Sequence, residues 1–276
     1  MTMAVRFGNT LVDKVPATGP VRLWDCGVEW ARLQPTKHAY DFTKLDKLVS
    51  QLAGRDIMLV IGHPPLWAAD GSDDLQAKWL LPGSNRPPVS DDDWSNYVLT
   101  VATRYKGKIK SYQVWNEPAS KDFYSGDYAT LARLVKRAKR LIHIADPAAK
   151  VVSPPLQPRK QAGWDGRGKK IYEALEAEGF PFHVWAAHIY PQVGEGTNAW
   201  VRDVRMVQNR VSGTNKPLWI TETNFNVVGP GNPWTAEKQR TTLDTIRSRC
   251  YTLDIPRVYW YGFGHSDPSL FAITNT

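Results

Sequence analysis

Eight short apolar runs, rich in β-branched and aromatic residues, recur along the chain. They lack the alternation of polar and apolar residues that marks a half-exposed strand, so they are typical of strands covered on both faces, as in a parallel sheet. The runs are Val5–Phe7, Val21–Trp24, Ile57–Ile61, Tyr112–Trp115, Val151–Val152, Val184–Ile189, Leu218–Thr221 and Val258–Tyr261.

Helical patterns separate most of these runs. Within Tyr40–Ala53, apolar residues recur at spacings of three and four, which predicts a helix with one buried face. A second helix is predicted to begin at Ser90, whose hydroxyl can cap free backbone amides, and three aspartates then favour the helix dipole. Further helices are predicted at Tyr128–Ala145, Gly168–Glu178, Trp200–Val211 and Thr235–Tyr251.

Strands that alternate with helices predict right-handed βαβ units, and eight strands predict a closed (β/α)8 barrel, the TIM barrel of the α/β class. Such barrels routinely fill about 250 residues, so we expect a single domain over residues 1–276. The segment between the first two runs is short and carries Pro and Gly, and only GFGHSDPSLFAITNT follows the last run. The first and last helices are therefore expected to be abbreviated or missing.

Aromatic residues and positive charge stand out in the composition. The chain has 12 Trp, 11 Tyr and 8 Phe, and its formal net charge is +8 at pH 7. Aromatic faces stack on sugar rings and on nucleobases, and positive charge attracts polyanions. Carbohydrate and nucleic acid are therefore the two ligand classes to weigh.

The sequence carries no sign of export, membrane insertion or a metal site. Its first twenty residues lack an apolar run of signal-peptide length, and no stretch approaches the roughly 18 apolar residues of a spanning helix. Asp70–Asp74 lacks the order of a calcium loop, and no glycine-rich phosphate cradle is present, so no metal or cofactor is expected. Cys26 and Cys250 are expected as free thiols. The location stays open between the cytoplasm, a virus particle and an excised domain of a secreted protein.

Two glutamates follow apolar runs that predict the fourth and seventh strands. Glu117 stands in VWNEP, where the proline ends ladder hydrogen bonding, and Glu222 stands in LWITET. Both are then expected at the C-terminal rim, where barrel active sites are built, on opposite sides of the ring. Glycoside hydrolysis uses two carboxyl groups, one on each side of the scissile glycosidic bond. A separation of about 5 Å between them permits retention of configuration. The ordinary alternative is that each glutamate caps a helix or pairs with an arginine.

The chain resembles clan A of the glycoside hydrolases, the retaining (β/α)8 enzymes, and most closely the branch around family thirty-nine. The resemblance covers nearly the whole chain. It implies a hydrolase that cleaves glycosidic bonds in a polysaccharide or oligosaccharide through a covalent glycosyl-enzyme, and we expect endo action. The motifs are Val21-Arg22 followed by Trp30 and LQPTKHAYDF, then IGHPPLWA, YKGKIKSYQVWNEP, AAHIYP, LWITET and a Trp in the last run.

Carried over residue by residue, the resemblance makes Glu117 the general acid/base and Glu222 the nucleophile. Asn116 would hydrogen-bond the sugar hydroxyl beside the reacting carbon, and Arg22 would keep Glu222 ionised. Tyr190 would orient Glu222 with its hydroxyl. To hold a proton, Glu117 needs a raised pKa, which we expect from apolar surroundings and from the charge of Glu222.

The resemblance also implies a wall and a floor for the sugar. His188 would line the same wall as Tyr190, Trp260 would form the floor, and His63 is a candidate for contacts to sugar hydroxyls. Each histidine could instead be a hydrogen-bonded core residue, and Arg22 could form a purely structural ion pair. Tryptophans in predicted rim loops are candidates for sugar stacking, namely Trp67, Trp79, Trp164 and Trp234.

A basic segment, QPRKQAGWDGRGKK, follows the fifth run at the same rim. Its charges could capture an anionic polymer with Trp164 as a stacking surface, or they could only keep a loop soluble. The basic residues are Arg159, Lys160, Arg167, Lys169 and Lys170.

Two other functions compete with hydrolysis. A carbohydrate-binding barrel without catalysis would not need both glutamates and Asn116. A nucleic-acid-binding protein would explain the charge and the aromatics, but the sequence has no recognition motif for it. We therefore expect a polysaccharide or oligosaccharide substrate, no nucleic-acid or membrane partner, and a monomer or weak oligomer; the sugar and the linkage stay open.

Overall fold

A computed structural model describes residues 6–11, 19–69, 81–158, 166–192, 195–225 and 236–263. Eight parallel strands follow one another around a closed barrel, and the eighth pairs with the first. The predicted (β/α)8 fold is confirmed. The strands are β1 (Arg6–Leu11), β2 (Val21–Leu23), β3 (Ile57–Ile61), β4 (Ile109–Val114), β5 (Lys150–Leu156), β6 (Val184–Ile189), β7 (Leu218–Thr223) and β8 (Arg257–Phe263).

Helices connect the strands on the outside of the barrel. The predictions about the first and last helices fall on residues 12–18 and 264–276, which lie outside the described residues. The α-helices of the described residues are α1 (Trp30–Leu33), α2 (Thr43–Gln51), α3 (Asp91–Arg104), α4 (Tyr128–Ala145), α5 (Arg167–Ala177), α6 (Thr197–Val211) and α7 (Ala236–Thr252). None of the helices in these parts of the chain is long and apolar enough to cross a membrane.

The strands divide the core into two layers. Successive side chains of a strand point to opposite faces, so one set packs outward against the helices and the other points into the barrel. The outward layer is large and includes Ile57, Leu59 and Ile61 of β3. The smaller cluster consists of Met58, Val152, Val184, Ala186, Trp219 and Tyr259. Arg22 lies between the outward-facing Val21 and Leu23, so its guanidinium enters the barrel.

Strand β5 extends beyond the predicted run Val151–Val152 and includes two prolines. Its register with β6 shifts between Val152 and Pro155. Within that irregularity the Ser153 hydroxyl accepts a hydrogen bond from the Ala186 amide at 2.9 Å. A side-chain oxygen therefore supplies the acceptor at this point of the ladder, and β5 continues to Leu156.

Helix α1 was not predicted, since its four residues are too few for a periodic pattern. Two helices begin at residue types that commonly cap the N-terminus of a helix, serine and aspartate. Ser90 Oγ accepts from the Asp93 amide at the start of α3, as predicted. At the start of α4, Asp127 accepts from the Thr130 amide and from the Thr130 hydroxyl, both at 2.8 Å.

We predict that Asp127→Ala lowers the free energy of unfolding by about 1 kcal/mol, because the first turn of α4 loses its cap. Urea unfolding followed by circular dichroism measures the change. Asp122→Ala in the preceding exposed loop is the matched control and should change stability by less than about 0.5 kcal/mol. Equal effects of the two substitutions would contradict the capping role.

Candidate active site

The two glutamates predicted from sequence face each other at the C-terminal rim. Glu222 lies in β7, and Glu117 follows β4 by three residues. An oxygen of Glu117 lies within 4.8 Å of an oxygen of Glu222. This separation matches the roughly 5 Å of retaining glycosidases and is too short for the roughly 6.5–9.5 Å of inverting ones.

Buried donors hold Glu222 at both of its oxygens. The Arg22 guanidinium contacts Oε1 at 2.5 Å, and the Tyr190 hydroxyl donates to Oε2 at 2.8 Å. Arg22 is completely buried, and it also donates to Gln113 Oε1 at 2.9 Å and to Asn116 Oδ1 at 2.8 Å. Strands β2, β4 and β7 and Asn116, the second residue after β4, therefore meet at one guanidinium, whose charge balances that of Glu222.

Glu117 lies in a different environment. Its Oε1 accepts from Gln157 Nε2 at 2.9 Å and lies 2.8 Å from His188 Nδ1. Burial raises the pKa of Glu117 to about 7, although Arg22 and the Gln157 hydrogen bond both lower it. Burial is thus the main cause, and the charge of Glu222 that the sequence suggested as a second cause is balanced by Arg22. A carboxyl group with a pKa near 7 can hold a proton at neutral pH and also release it.

His188 lies between the two carboxylates. Its Nδ1 is 2.8 Å from Glu117 and 3.4 Å from Glu222 Oε2. Burial lowers the pKa of His188 to about 3, although Glu222 raises it, so the ring is neutral at neutral pH. A bare Nδ1 lone pair would face two carboxylates, and the Nδ1–H tautomer avoids that repulsion. The ring therefore donates towards Glu117.

His63, the sequence-based candidate for contacts to sugar hydroxyls, is almost fully buried. Its Nδ1 donates to the Ser84 carbonyl at 3.1 Å, and its Nε2 accepts from the Asn116 amide at 3.2 Å. Burial lowers the pKa of His63 to about 3. Because both ring nitrogens bind backbone groups, His63 is a buried structural residue that fixes the main chain at Asn116.

Two of the tryptophans that the sequence suggested as sugar contacts lie among the described residues, and three do not. Trp260 lies in β8, is almost fully buried, and stacks on Phe225 with 6.2 Å between ring centroids. Trp67 is half-buried and donates to the Gln34 carbonyl, so its polar edge is occupied. Trp164, the candidate stacking residue, lies outside the described residues, as do Trp79 and Trp234.

Of the basic segment after β5, residues 157, 158 and 166–170 are described. Arg167 donates to the Ala119 carbonyl at 2.7 Å, and Lys169 lies 3.6 Å from Glu173 on the same helix. Arg167 therefore binds the chain that follows Glu117, which the sequence did not indicate. Residues 159–165, with Arg159 and Lys160, lie outside the described residues.

Backbone strain is concentrated around the carboxylates. His63, Trp115 and Glu117 adopt positive φ angles of 58°, 69° and 40°. At Gly62 an added Cβ would lie 2.7 Å from the Trp115 ring, so this position accepts only glycine. Strained residues at strand ends are a frequent feature of active sites, where the surrounding packing holds them in place.

Three residues of the site were missed in the sequence. Gln157 binds Glu117, Gln113 binds Arg22, and Ser84 binds His63. Gln157 could have been found, because it is the first polar residue after β5 at the rim where Glu117 lies. Gln113 and Ser84 carry no comparable signal, since one lies inside a strand and the other binds through its carbonyl.

Glu117, His188 and Glu222 also have the spacing of metal ligands. Both Glu222 oxygens already bind donors, one of them the cationic Arg22. A metal ion there would lie close to that guanidinium. Its binding would also displace the hydrogen bond from Tyr190 to Glu222. The arrangement therefore suits proton transfer and nucleophilic attack better than metal coordination.

Comparison with known proteins indicates the same class of site. Residues 26–154 match the model of Glycosyl hydrolase family 10. Endo-1,4-beta-xylanase C from Phanerodontia chrysosporium is 20% identical over 234 residues, which cover 82% of this chain and 56% of the xylanase. These matches support the predicted class of glycoside hydrolase. The matching model is that of family 10, and the predicted branch around family thirty-nine is not specifically supported.

Solved structures share the fold. A glucosidase from Croceicoccus marinus superposes with a TM-score of 0.69 and 16% identity over 94% of this chain and 60% of that chain. Xylanase 10B from Thermotoga petrophila RKU-1 gives a TM-score of 0.64 and 17% identity over 94% of this chain and 82% of that chain. The chain thus spans little more than half of the fungal xylanase and 60% of the glucosidase.

We predict that Glu117→Gln stabilises the protein at high pH. Since the folded-state pKa of about 7 lies above the ordinary 4.5, ionisation of Glu117 destabilises the fold as pH rises between these values. The substitution should raise Tm by a few degrees at pH 8.5 and hardly at pH 4. Differential scanning calorimetry at both pH values measures this, with Glu173→Gln on the exposed face of α5 as control. A gain that is equal at both pH values would contradict the buried-charge account.

Proposed function

We propose that this chain is a retaining, endo-acting glycoside hydrolase in which Glu222 is the nucleophile and Glu117 is the general acid/base. The observation that carries the proposal is the pair of carboxylates within 4.8 Å in unlike environments. Glu222 is held by a cation and a hydroxyl, which suits an ionised nucleophile. Glu117 has a pKa raised to about 7, which suits a proton donor.

In the first step Glu117 gives its proton to the glycosidic oxygen while a Glu222 oxygen forms a bond to the anomeric carbon. The bond from that carbon to the leaving sugar breaks, and its electrons stay on the protonated oxygen. Glu222 loses its negative charge in the covalent intermediate, and Glu117 becomes a carboxylate. In the second step Glu117 takes a proton from water, the water oxygen attacks the anomeric carbon, and Glu222 is released.

Asn116 is proposed to bind the sugar during these steps. Its Oδ1 already accepts from Arg22, so Nδ2 is the group left to donate to a sugar hydroxyl. His63 Nε2 accepts from the backbone N–H of Asn116 and so fixes the main chain that carries this side chain. A donor held at two points is preorganised for the hydroxyl beside the reacting carbon, where positive charge develops in the transition state.

Tyr190 and Trp260 complete the proposed site. Tyr190 is fully occupied as a donor to Glu222, so it orients the nucleophile. Trp260 lies on the barrel strand next to β7 and offers an aromatic face beneath the reacting sugar.

We propose a β-1,4-linked xylan as the first substrate to test. Support comes from the match to the family 10 model and from relatives named endo-1,4-beta-xylanase. Kinetics on the polymer and on a small aryl xyloside separate endo action on xylan from action on short xylosides. One catalytic domain over residues 1–276, acting as a monomer or weak oligomer without a nucleic-acid partner, is part of the proposal.

Substitution of the two glutamates should change the kinetics in different ways. Glu222→Gln should lower turnover of every substrate by several orders of magnitude, because no covalent bond can form. Glu117→Gln should retain formation of the glycosyl-enzyme from a 2,4-dinitrophenyl glycoside, since this leaving group needs no proton. On the polymer the same variant should lose about 10²–10⁴-fold.

Stopped-flow measurement of the dinitrophenolate burst checks both expectations, with Gln192→Leu at the exposed rim as the control variant. Equal loss of the burst in the Glu117→Gln and Glu222→Gln proteins would contradict the division of roles. Polymer binding by an unsubstituted protein without any turnover would instead support the non-catalytic carbohydrate-binding barrel.

A further inference from the structure

The strongest unassigned feature of the site is the single oxygen of Glu117 on which two donors converge. Gln157 Nε2 lies 2.9 Å and His188 Nδ1 2.8 Å from Oε1. Both donors reach the same atom, and one comes from the end of β5 and the other from β6. The hydrogen bonds found for this carboxyl group among the described residues thus fall on one of its two oxygens.

We infer that Gln157 is a positioning residue for the acid/base step: together with His188 it occupies Oε1 and leaves Oε2 as the atom that carries and transfers the proton. This inference rests on the proposed function of Glu117. A carboxyl oxygen that accepts two N–H bonds has little capacity left to hold a hydrogen. The proton of the neutral acid therefore resides on Oε2.

This arrangement supports both halves of the reaction. In the first step the Oε2–H bond breaks and its proton moves to the glycosidic oxygen, so negative charge appears on the carboxylate. Both N–H groups are already aimed at Oε1 and stabilise that charge without reorganisation. In the second step Oε2 takes the proton from water and the neutral acid is restored.

Gln157 is suited to this task in a way that a charged residue is not. A lysine would hold Glu117 ionised and remove its proton, and an aspartate or glutamate would repel the carboxylate. A neutral amide donates one hydrogen bond, which lowers the pKa of Glu117 as a lysine would, but only modestly. Its side chain is only half-buried, so replacement by Leu leaves the barrel core intact.

The test compares Gln157→Leu and Gln157→Glu with the control Gln192→Leu. Loss of the donor should lower kcat/KM on the polymer by about 10-fold or more and leave the burst with the dinitrophenyl glycoside within about twofold. The alkaline limb of the kcat/KM profile should move to higher pH in both Gln157 variants, further in Gln157→Glu. Equal losses on the two substrates, or an unmoved alkaline limb, would overturn the inference.

A second measurement needs no turnover and so separates this inference from the proposed function. Carbon-13 NMR of protein labelled at glutamate carboxyl groups follows the titration of Glu117, whose signal is identified by its loss in Glu117→Gln. Gln157→Leu should raise the pKa of Glu117 above that in the unsubstituted protein, and Gln192→Leu should not. An unchanged Glu117 titration would show that Gln157 does not act on the acid. Failure of the unsubstituted protein to hydrolyse any glycoside would sink the proposed function alone.

Discussion

One buried guanidinium organises the catalytic rim. Arg22 contacts Glu222, Asn116 and Gln113, and so ties β2 to β4 and β7 across the interior of the barrel. A buried cation is costly unless it is paired and its hydrogens are bound, and these three partners satisfy it. The same contacts hold Glu222 in place, orient the side-chain amide of Asn116 and balance the charge of Glu222. Removing Arg22 would leave a buried carboxylate without its cation at the proposed active site.

The two carboxylates differ because their neighbours differ. Glu222 binds a cation and a hydroxyl, whereas Glu117 binds two neutral donors, Gln157 and His188, and is desolvated. Burial therefore acts on Glu117 with little opposition and raises its pKa to about 7. The barrel supplies this difference by placing each glutamate beside a different pair of strands. The proposed acid and the proposed nucleophile are identical side chains that differ only in their surroundings.

Much of the fold and of the site could be predicted from the order of residues along the chain. Apolar runs identified the strands, and the glutamates that follow two of them identified the rim, because parallel strands end at one edge. Side-chain partners across the barrel could not be predicted in this way. His63 stands in a motif of the resemblance, but only the fold reveals that Ser84 and the Asn116 amide occupy its nitrogens. Gln157 could have been named from its position after β5, but its hydrogen bond to Glu117 depends on the rotamer of that glutamate.

The central claim is that Glu222 attacks the anomeric carbon while Arg22 and Tyr190 hold it. The most direct measurement is trapping with a 2-deoxy-2-fluoro xyloside that carries a dinitrophenyl leaving group, since the fluorine slows release of the intermediate. Mass spectrometry of the intact protein should show one added fluorosugar, and peptide mapping should place it on Glu222. A label on another residue, or no label in a protein that hydrolyses xylosides, would contradict the account.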